Sequence, residues 1–180
     1  MTYTFSLSQA DYLNFQLFFA STVQNARTQR KNSQIMWTVF FLLMAFNFYA
    51  EKIFFPAVVF LVFGVSWAIF YPMYAKNRQQ KHFEKYINTF LSEKFDKVCT
   101  ITIDDQIIHT VEENYESKIA LSEVKQVYET GDYFYAHLKS GQTFIFPRHR
   151  IENINALEDQ LRDIAAKNQV NFTEMTDWKW

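Results

Sequence analysis

From Ile35 to Tyr74 the chain is apolar almost without interruption. Two runs, IMWTVFFLLMAFNFYA and IFFPAVVFLVFGVSWAIFYPMY, are parted only by Glu51 and Lys52, and neither contains Asp, Glu, Lys, Arg or His. An uncharged apolar stretch of about 18 residues or more is long enough to cross the hydrocarbon of a bilayer as a helix. The second run reaches that length; the first is shorter and contains Asn47, so it spans only with Gln34 or Ile53 drawn in. The pattern predicts a transmembrane helical hairpin turning at Glu51–Lys52. A buried hairpin in a soluble protein is the alternative. It is disfavoured because so many Phe residues would need a large soluble shell, while the remaining residues, roughly 140, have a core of their own to fill.

Outside the hairpin the periodicity changes twice. Tyr3, Phe5 and Leu7 alternate with Thr4 and Ser6, a strand pattern. Ser8 followed by Asp11 reads as the reciprocal cap of a helix that continues through LNFQLFFASTVQNARTQRK. Its face is broad and aromatic (Phe15, Phe18 and Phe19 beside Leu13, Leu17 and Ala20), suited either to a membrane interface or, as the favoured reading, to packing on the soluble domain. Beyond the second run, Phe83, Ile87, Phe90 and Leu91 recur at helical spacing, so the second span is expected to continue, or restart, as a helix. Gly64 and Ala68 form a small-xxx-small pair that allows close helix approach, and Pro72 marks a kink or stop.

From Val98 the period is two. Strands are expected around Cys99–Ile103, Ile107–Val111, Ile119–Leu121, Val124–Glu129, Tyr133–Lys139 and Gln142–Phe146, with a polar break at Glu112–Glu116 and turns at Asp104–Asp105, Gly131–Asp132 and Ser140–Gly141. Ile154, Leu157, Leu161 and Ile164 mark one face of a last helix capped by Asn153. The tail NFTEMTDWKW reads as irregular. The chain thus divides into an N-terminal strand and amphipathic helix (1–33), a transmembrane hairpin (34–75), a juxtamembrane helix (76–97) and a β domain with a C-terminal helix (98–180). The fold class is an α+β membrane protein.

Charge orients this arrangement. Arg27, Arg30 and Lys31 precede the first span, and Lys76, Arg78 and Lys81 follow the second, whereas the connecting turn carries one Glu and one Lys. Basic flanks mark the cytoplasmic side, so both termini are expected in the cytoplasm. The same six residues are the candidate contacts to anionic lipid, a collar at headgroup height in which each contributes roughly 1 kcal/mol. From Val98 to Trp180 there are 14 acidic residues against eight basic ones, so this part of the chain is expected to be repelled by the same surface. The net charge of −1 argues against a nucleic-acid partner, whose recognition rests on phosphate neutralisation.

Candidate chemistry is sparse. His82, His109, His137 and His149 lack a metal-ligand spacing, and no metal or cofactor is implied. Cys99 lies on the apolar face of its strand and cannot form an intrachain disulfide; no partner base makes it a nucleophile. The chain has 3 Gly and no phosphate-binding glycine loop. Arg148, His149 and Arg150 form the one compact basic group of the β domain, suited to a phosphate or lipid headgroup, although a solvated loop is the favoured reading. No catalytic residues are assigned.

The opening LSQADYLNFQLFFA, the two-span centre and the segment SKIALSEVKQVYETGDYFYAHLKSGQTFIFPRHRI together resemble the YcxB-like family of small bacterial membrane proteins. The resemblance implies a cytoplasmic β domain similar to bacterial pleckstrin-homology-like (PH-like) domains and a bacterial inner-membrane location; it supplies no catalytic residues. A PH-like small barrel, or a strongly bent antiparallel sheet, needs seven strands. The segment after Val98 supplies six, and Thr2–Leu7 is the natural seventh, since an unpaired edge is a liability. The leading expectation is a membrane-anchored, non-catalytic interaction module whose partners are the lipid bilayer and a membrane protein or a second copy of itself. An accessory subunit of a transporter is the alternative, and an enzyme acting on a membrane-proximal substrate ranks third.

Overall fold

The computed structural model describes the chain from Met1 to Trp180 except residues 23–25 and 114, and leaves the side chains of residues 26, 27 and 30 undescribed. It is an α+β structure. In chain order the elements are β1 (Thr2–Ser6), α1 (Gln9–Thr22), α2 (Ala26–Ala50), α3 (Phe54–Phe90), β2 (Val98–Ile103), β3 (Ile107–Glu112), β4 (Tyr115–Ala120), β5 (Val124–Thr130), β6 (Tyr133–Leu138), β7 (Thr143–Pro147), α4 (Ile154–Lys167) and β8 (Asn171–Met175). They form two compact units, Met1–Phe15 with Asn88–Trp180, and Gln16–Ile87.

The first unit contains two four-stranded sheets, ordered β1-β2-β3-β4 and β7-β6-β5-β8. The N-terminal strand is paired: β1 runs antiparallel to β2, with Tyr3 opposite Ile101 and Phe5 opposite Cys99. Period-two alternation sends these four side chains to the core and Thr2, Thr4, Thr100 and Thr102 to the other face. There the hydroxyls pair across the strands, Thr2 with Thr102 at 3.1 Å and Thr4 with Thr100 at 3.2 Å. Both sheets and α4 share one apolar core in which Val127, Phe134, Phe146 and Leu157 are wholly enclosed. Asn153 caps α4 by accepting from the Ala156 N–H at 3.3 Å, and Leu157, Leu161 and Ile164 are its buried face.

Two sequence expectations need correction. The tail is not irregular over its whole length: Asn171–Met175 is a strand laid parallel to β5, with Phe172 opposite Val127. The polar break after β3 is shorter than Glu112–Glu116, because β3 runs to Glu112 and β4 starts at Tyr115, with Leu121 in a 3-10 turn after the strand. Glu112 and Glu116 sit in the ladder, opposite Tyr115 and Val111; Glu116 is exposed on the outer face, where a charged side chain does not interrupt a sheet.

The start of α1 belongs to this unit. The Ser8 N–H and hydroxyl both donate to Asp11 Oδ2 at 2.7 Å, the reciprocal half of the cap. Further along, Asn14 donates to the Tyr133 hydroxyl at 3.0 Å, and the Phe15 ring lies 5.7 Å from that of Tyr135. The first half of α1 therefore packs on β6, which explains why all six residues of that strand are buried although only alternate ones face the main core.

The second unit is built on α2 and α3. Lys52, at φ 60°, takes the left-handed position after α2. The Ile53 and Lys52 N–H groups close the helix end on the carbonyls of Phe48 and Tyr49 at 2.9 and 3.0 Å, a Schellman motif with lysine in place of the usual glycine. Ala45, Ala57 and Gly64 are buried where the two helices meet. A Cβ on Gly64 would stand 3.2 Å from Phe41 Cβ, so the close approach depends on the missing side chain. Phe48 stacks on Phe60 across the seam at 5.5 Å, and Trp67 stacks on Tyr71 along α3 at 4.7 Å. Pro72 does not stop α3, which continues to Phe90. Two stretches, Lys31–Ala50 and Phe54–Phe90, are long and apolar enough to cross a membrane by length and composition.

Candidate functional site

The basic end of the hairpin holds a cleft that combines charge with shape. Tyr71, Tyr74, Ala75, Arg78, Gln79 and His82 recur every three or four residues, which places them on one face of α3. With Gln29 of α2 they line a cleft of about 490 Å³. Of the four basic residues singled out in the sequence whose side chains are described, Arg78 lines it. Lys31, Lys76 and Lys81 are exposed and lie outside the lining; the side chains of Arg27 and Arg30 fall outside the described residues. Lys76 and Arg78 are about 160° apart around the helix, whereas Lys81, three residues after Arg78, stands on the same side as Arg78.

The first unit holds two buried acidic groups, each clamped by arginine. Asp11, 2% exposed, accepts from the Tyr133 hydroxyl at 2.9 Å and lies 3.4 Å from the Arg150 guanidinium, which also donates to the Ser6 carbonyl. Burial, with the Asp11 carboxylate against the hydroxyl, pushes the Tyr133 phenol up to about 12. On β5, Glu129 pairs with Arg148 through one oxygen and with Arg162 through the other at 3.2 Å. Arg162 also reaches Glu158 at 2.9 Å and Glu174 at 2.8 Å. Both guanidiniums lie over rings, Arg148 4.3 Å from the centroid of Phe134 and Arg162 4.2 Å from that of Phe172. In the Arg148–Arg150 group His149 is exposed, whereas both arginines are paired within the fold. Its arginines are committed to carboxylates and a main-chain carbonyl, and a second anion would have to displace them.

Residues 103–161 match the YcxB-like protein family. Comparison with curated proteins and with solved structures gave no match. The YcxB-like segment begins at the end of β2 and ends within α4; it takes in Glu129, Arg148, Arg150 and Glu158.

Two of the four histidines lie on strands of the YcxB-like segment. His109 Nε2 lies 2.8 Å from Glu116 Oε1 on the outer face of the first sheet. Its imidazole and Lys118 hold the Glu116 carboxyl below the usual range. His137 is buried on β6, with Nδ1 2.9 Å from the Thr143 hydroxyl. Burial first, then the charge of Lys125, pushes its pKa down. Cys99, on β2 just before the segment, is buried, and its thiol is pushed up to about 11, chiefly by that burial. Among the described residues no group of three or more His, Cys, Asp and Glu is placed to hold a metal ion.

Sequence reasoning found Arg78 but missed Gln29, Gln79 and His82 as its neighbours. The signal was present in the helical spacing from Tyr71 to His82, which joins apolar and polar positions and so reads as neither a core stripe nor a charged face.

Proposed function

We propose that this chain is a membrane-anchored, non-catalytic interaction module of the bacterial inner membrane. In this reading α2 and the first part of α3 cross the bilayer as a hairpin, and both termini are cytoplasmic. One observation carries it. Over the most apolar 18 residues of each of the two helices only 6% and 11% is buried, with Phe46, Phe55 and Phe63 at 69%, 81% and 60% exposure. A contiguous apolar surface of this size is far beyond what a soluble chain leaves in water; a hydrocarbon solvent removes the cost. The basic residues at both flanks and the near-neutral turn support the orientation.

The first unit is proposed to be a PH-like domain. The support is its order: two antiparallel sheets made in turn by β1–β4 and β5–β7, followed by α4 against the shared core. The parallel strand β8 is an addition to that plan. A non-catalytic role is supported by the state of the reactive groups: a buried thiol with a raised pKa, a buried histidine with a lowered one, and arginines already paired with carboxylates. The test is extraction of native membranes with alkaline carbonate and then with detergent. The reading expects the full chain to resist carbonate and dissolve only in detergent. Release by carbonate would contradict it.

A further inference from the structure

The cleft at the basic end of the hairpin has a definite ligand chemistry. This inference rests on the membrane reading above. From Phe54 to Tyr74, α3 is apolar for roughly 20 residues, about 30 Å at 1.5 Å per residue, which is the thickness of the hydrocarbon layer. Arg78 is one turn beyond, about 6 Å further along the axis, and His82 about 12 Å. The cleft thus runs from the hydrocarbon edge outwards through the headgroup layer, with Tyr71 and Tyr74 innermost and His82 outermost.

Among the described residues its lining offers one guanidinium, one imidazole, two carboxamides and two phenols, and no carboxylate. Among the described residues Arg78 has no carboxylate partner. A guanidinium fork matches two phosphate oxygens at once, and the amides of Gln29 and Gln79 suit the hydroxyls of a polyol as donors and acceptors. A choline or ethanolamine ammonium would find no counter-charge here. We propose that the cleft binds the headgroup of an anionic glycerophospholipid. The phosphodiester rests on Arg78, the headgroup hydroxyls meet Gln29, Gln79 and His82, and the acyl chains continue along the exposed apolar surface of α3.

A localised site differs measurably from a diffuse ring of charge, in which every basic residue counts alike. The test uses the full-length protein in neutral detergent, offered phosphatidylglycerol and phosphatidylcholine of identical acyl chains, with bound lipid read by native mass spectrometry. Wild type, Arg78→Gln and Lys81→Gln are compared; the two substitutions remove the same charge from exposed positions, and matched thermal melts establish that both fold. Wild type and Lys81→Gln are expected to prefer phosphatidylglycerol by about five-fold or more, and Arg78→Gln to lose that preference. The proposal is overturned if Arg78→Gln keeps the preference, if Lys81→Gln loses it equally, or if millimolar inorganic phosphate displaces the lipid, which would make free phosphate the occupant. Recovery of the wild type without detergent would instead be a failure of the membrane reading, so the two failures are told apart.

Discussion

The side-chain amide of Gln34 on α2 donates to the main-chain carbonyl of Ala68 on α3 at 2.8 Å, and Ala68 is the residue four places before Pro72. Proline has no N–H, so the carbonyl that the helix would otherwise satisfy at that step is left open. In an apolar surrounding an open carbonyl is costly. The neighbouring helix closes it, and α3 runs on past Pro72 to Phe90. Gln34 is thus the partner of a proline it does not touch in sequence.

A double-mutant cycle follows from this pairing. Gln34→Leu should lower the stability of the full chain in detergent by about 0.6–2 kcal/mol, the range for hydrogen bonds between membrane helices. In a Pro72→Ala background, where the helix N–H is restored, the same substitution should cost less. Thermal or denaturant unfolding measures both; equal losses in the two backgrounds would show that Gln34 does not serve the proline gap.

The paired N-terminus gives a second expectation. A fragment from Val98 to the C-terminus loses β1 and the start of α1, exposing the edge of β2 and removing Asp11 from Arg150 and Tyr133. An exposed strand edge recruits other chains, and a buried ion pair broken on one side is costly. The fragment should aggregate or remain unfolded, whereas joining Met1–Phe15 to Asn88–Trp180 through a flexible linker should restore a cooperative melt. A stable, monomeric Val98–Trp180 fragment would contradict this account of the sheet.

Tyr133 tests the buried cluster by itself. Tyr133→Phe removes the hydroxyl that donates to Asp11 and accepts from Asn14. A buried carboxylate then loses one of its donors, so the loss should be about 1–3 kcal/mol. Tyr128→Phe, whose hydroxyl bonds to Gln126 two residues away, should cost less. Denaturant unfolding of the full-length variants measures the difference, and equal losses would contradict the weight given to Asp11.

Much of the architecture was legible because each element declared itself locally. The hairpin is a matter of composition, β1 of alternation at Tyr3 and Phe5, and α4 of a cap at Asn153 with a regular apolar face. What was not legible was non-local. β8 has two large apolar side chains, Phe172 and Met175, three residues apart and so not in period-two alternation, and owes its conformation to the ladder offered by β5. Arg148 and Arg150 look like a free basic patch because Glu129 and Asp11, their partners, lie in other parts of the sequence. The cleft at Arg78 was half legible. The charge could be read, but Gln29 comes from another helix.

His137 should give the protein an acid-sensitive component of stability. Its pKa is lowered below the ordinary 6.5 by burial and by Lys125, so at neutral pH neither the folded nor the unfolded chain carries the proton. As the pH falls through 6.5 the unfolded chain takes it up first, and stability declines until the folded value is passed. Glu116, lowered below 4.5, acts at more acid pH. The melting temperature should therefore drop between neutrality and mild acid, and His137→Asn should flatten that part of the profile. An unchanged slope in His137→Asn would remove this residue from the explanation.

The membrane hairpin is the central claim, and cysteine accessibility in intact cells tests it most directly. Native Cys99 is a poor reporter because burial and a thiol raised to about 11 make it inert on either side of a membrane. In a Cys99→Ala background, one variant places cysteine at the turn, Glu51→Cys, and another at an exposed turn of the first unit, Ser140→Cys. The account predicts that a membrane-impermeant thiol reagent labels Glu51→Cys in intact cells, and labels Ser140→Cys only after the membrane is opened. Labelling of Ser140→Cys in intact cells, with Glu51→Cys protected, would contradict it.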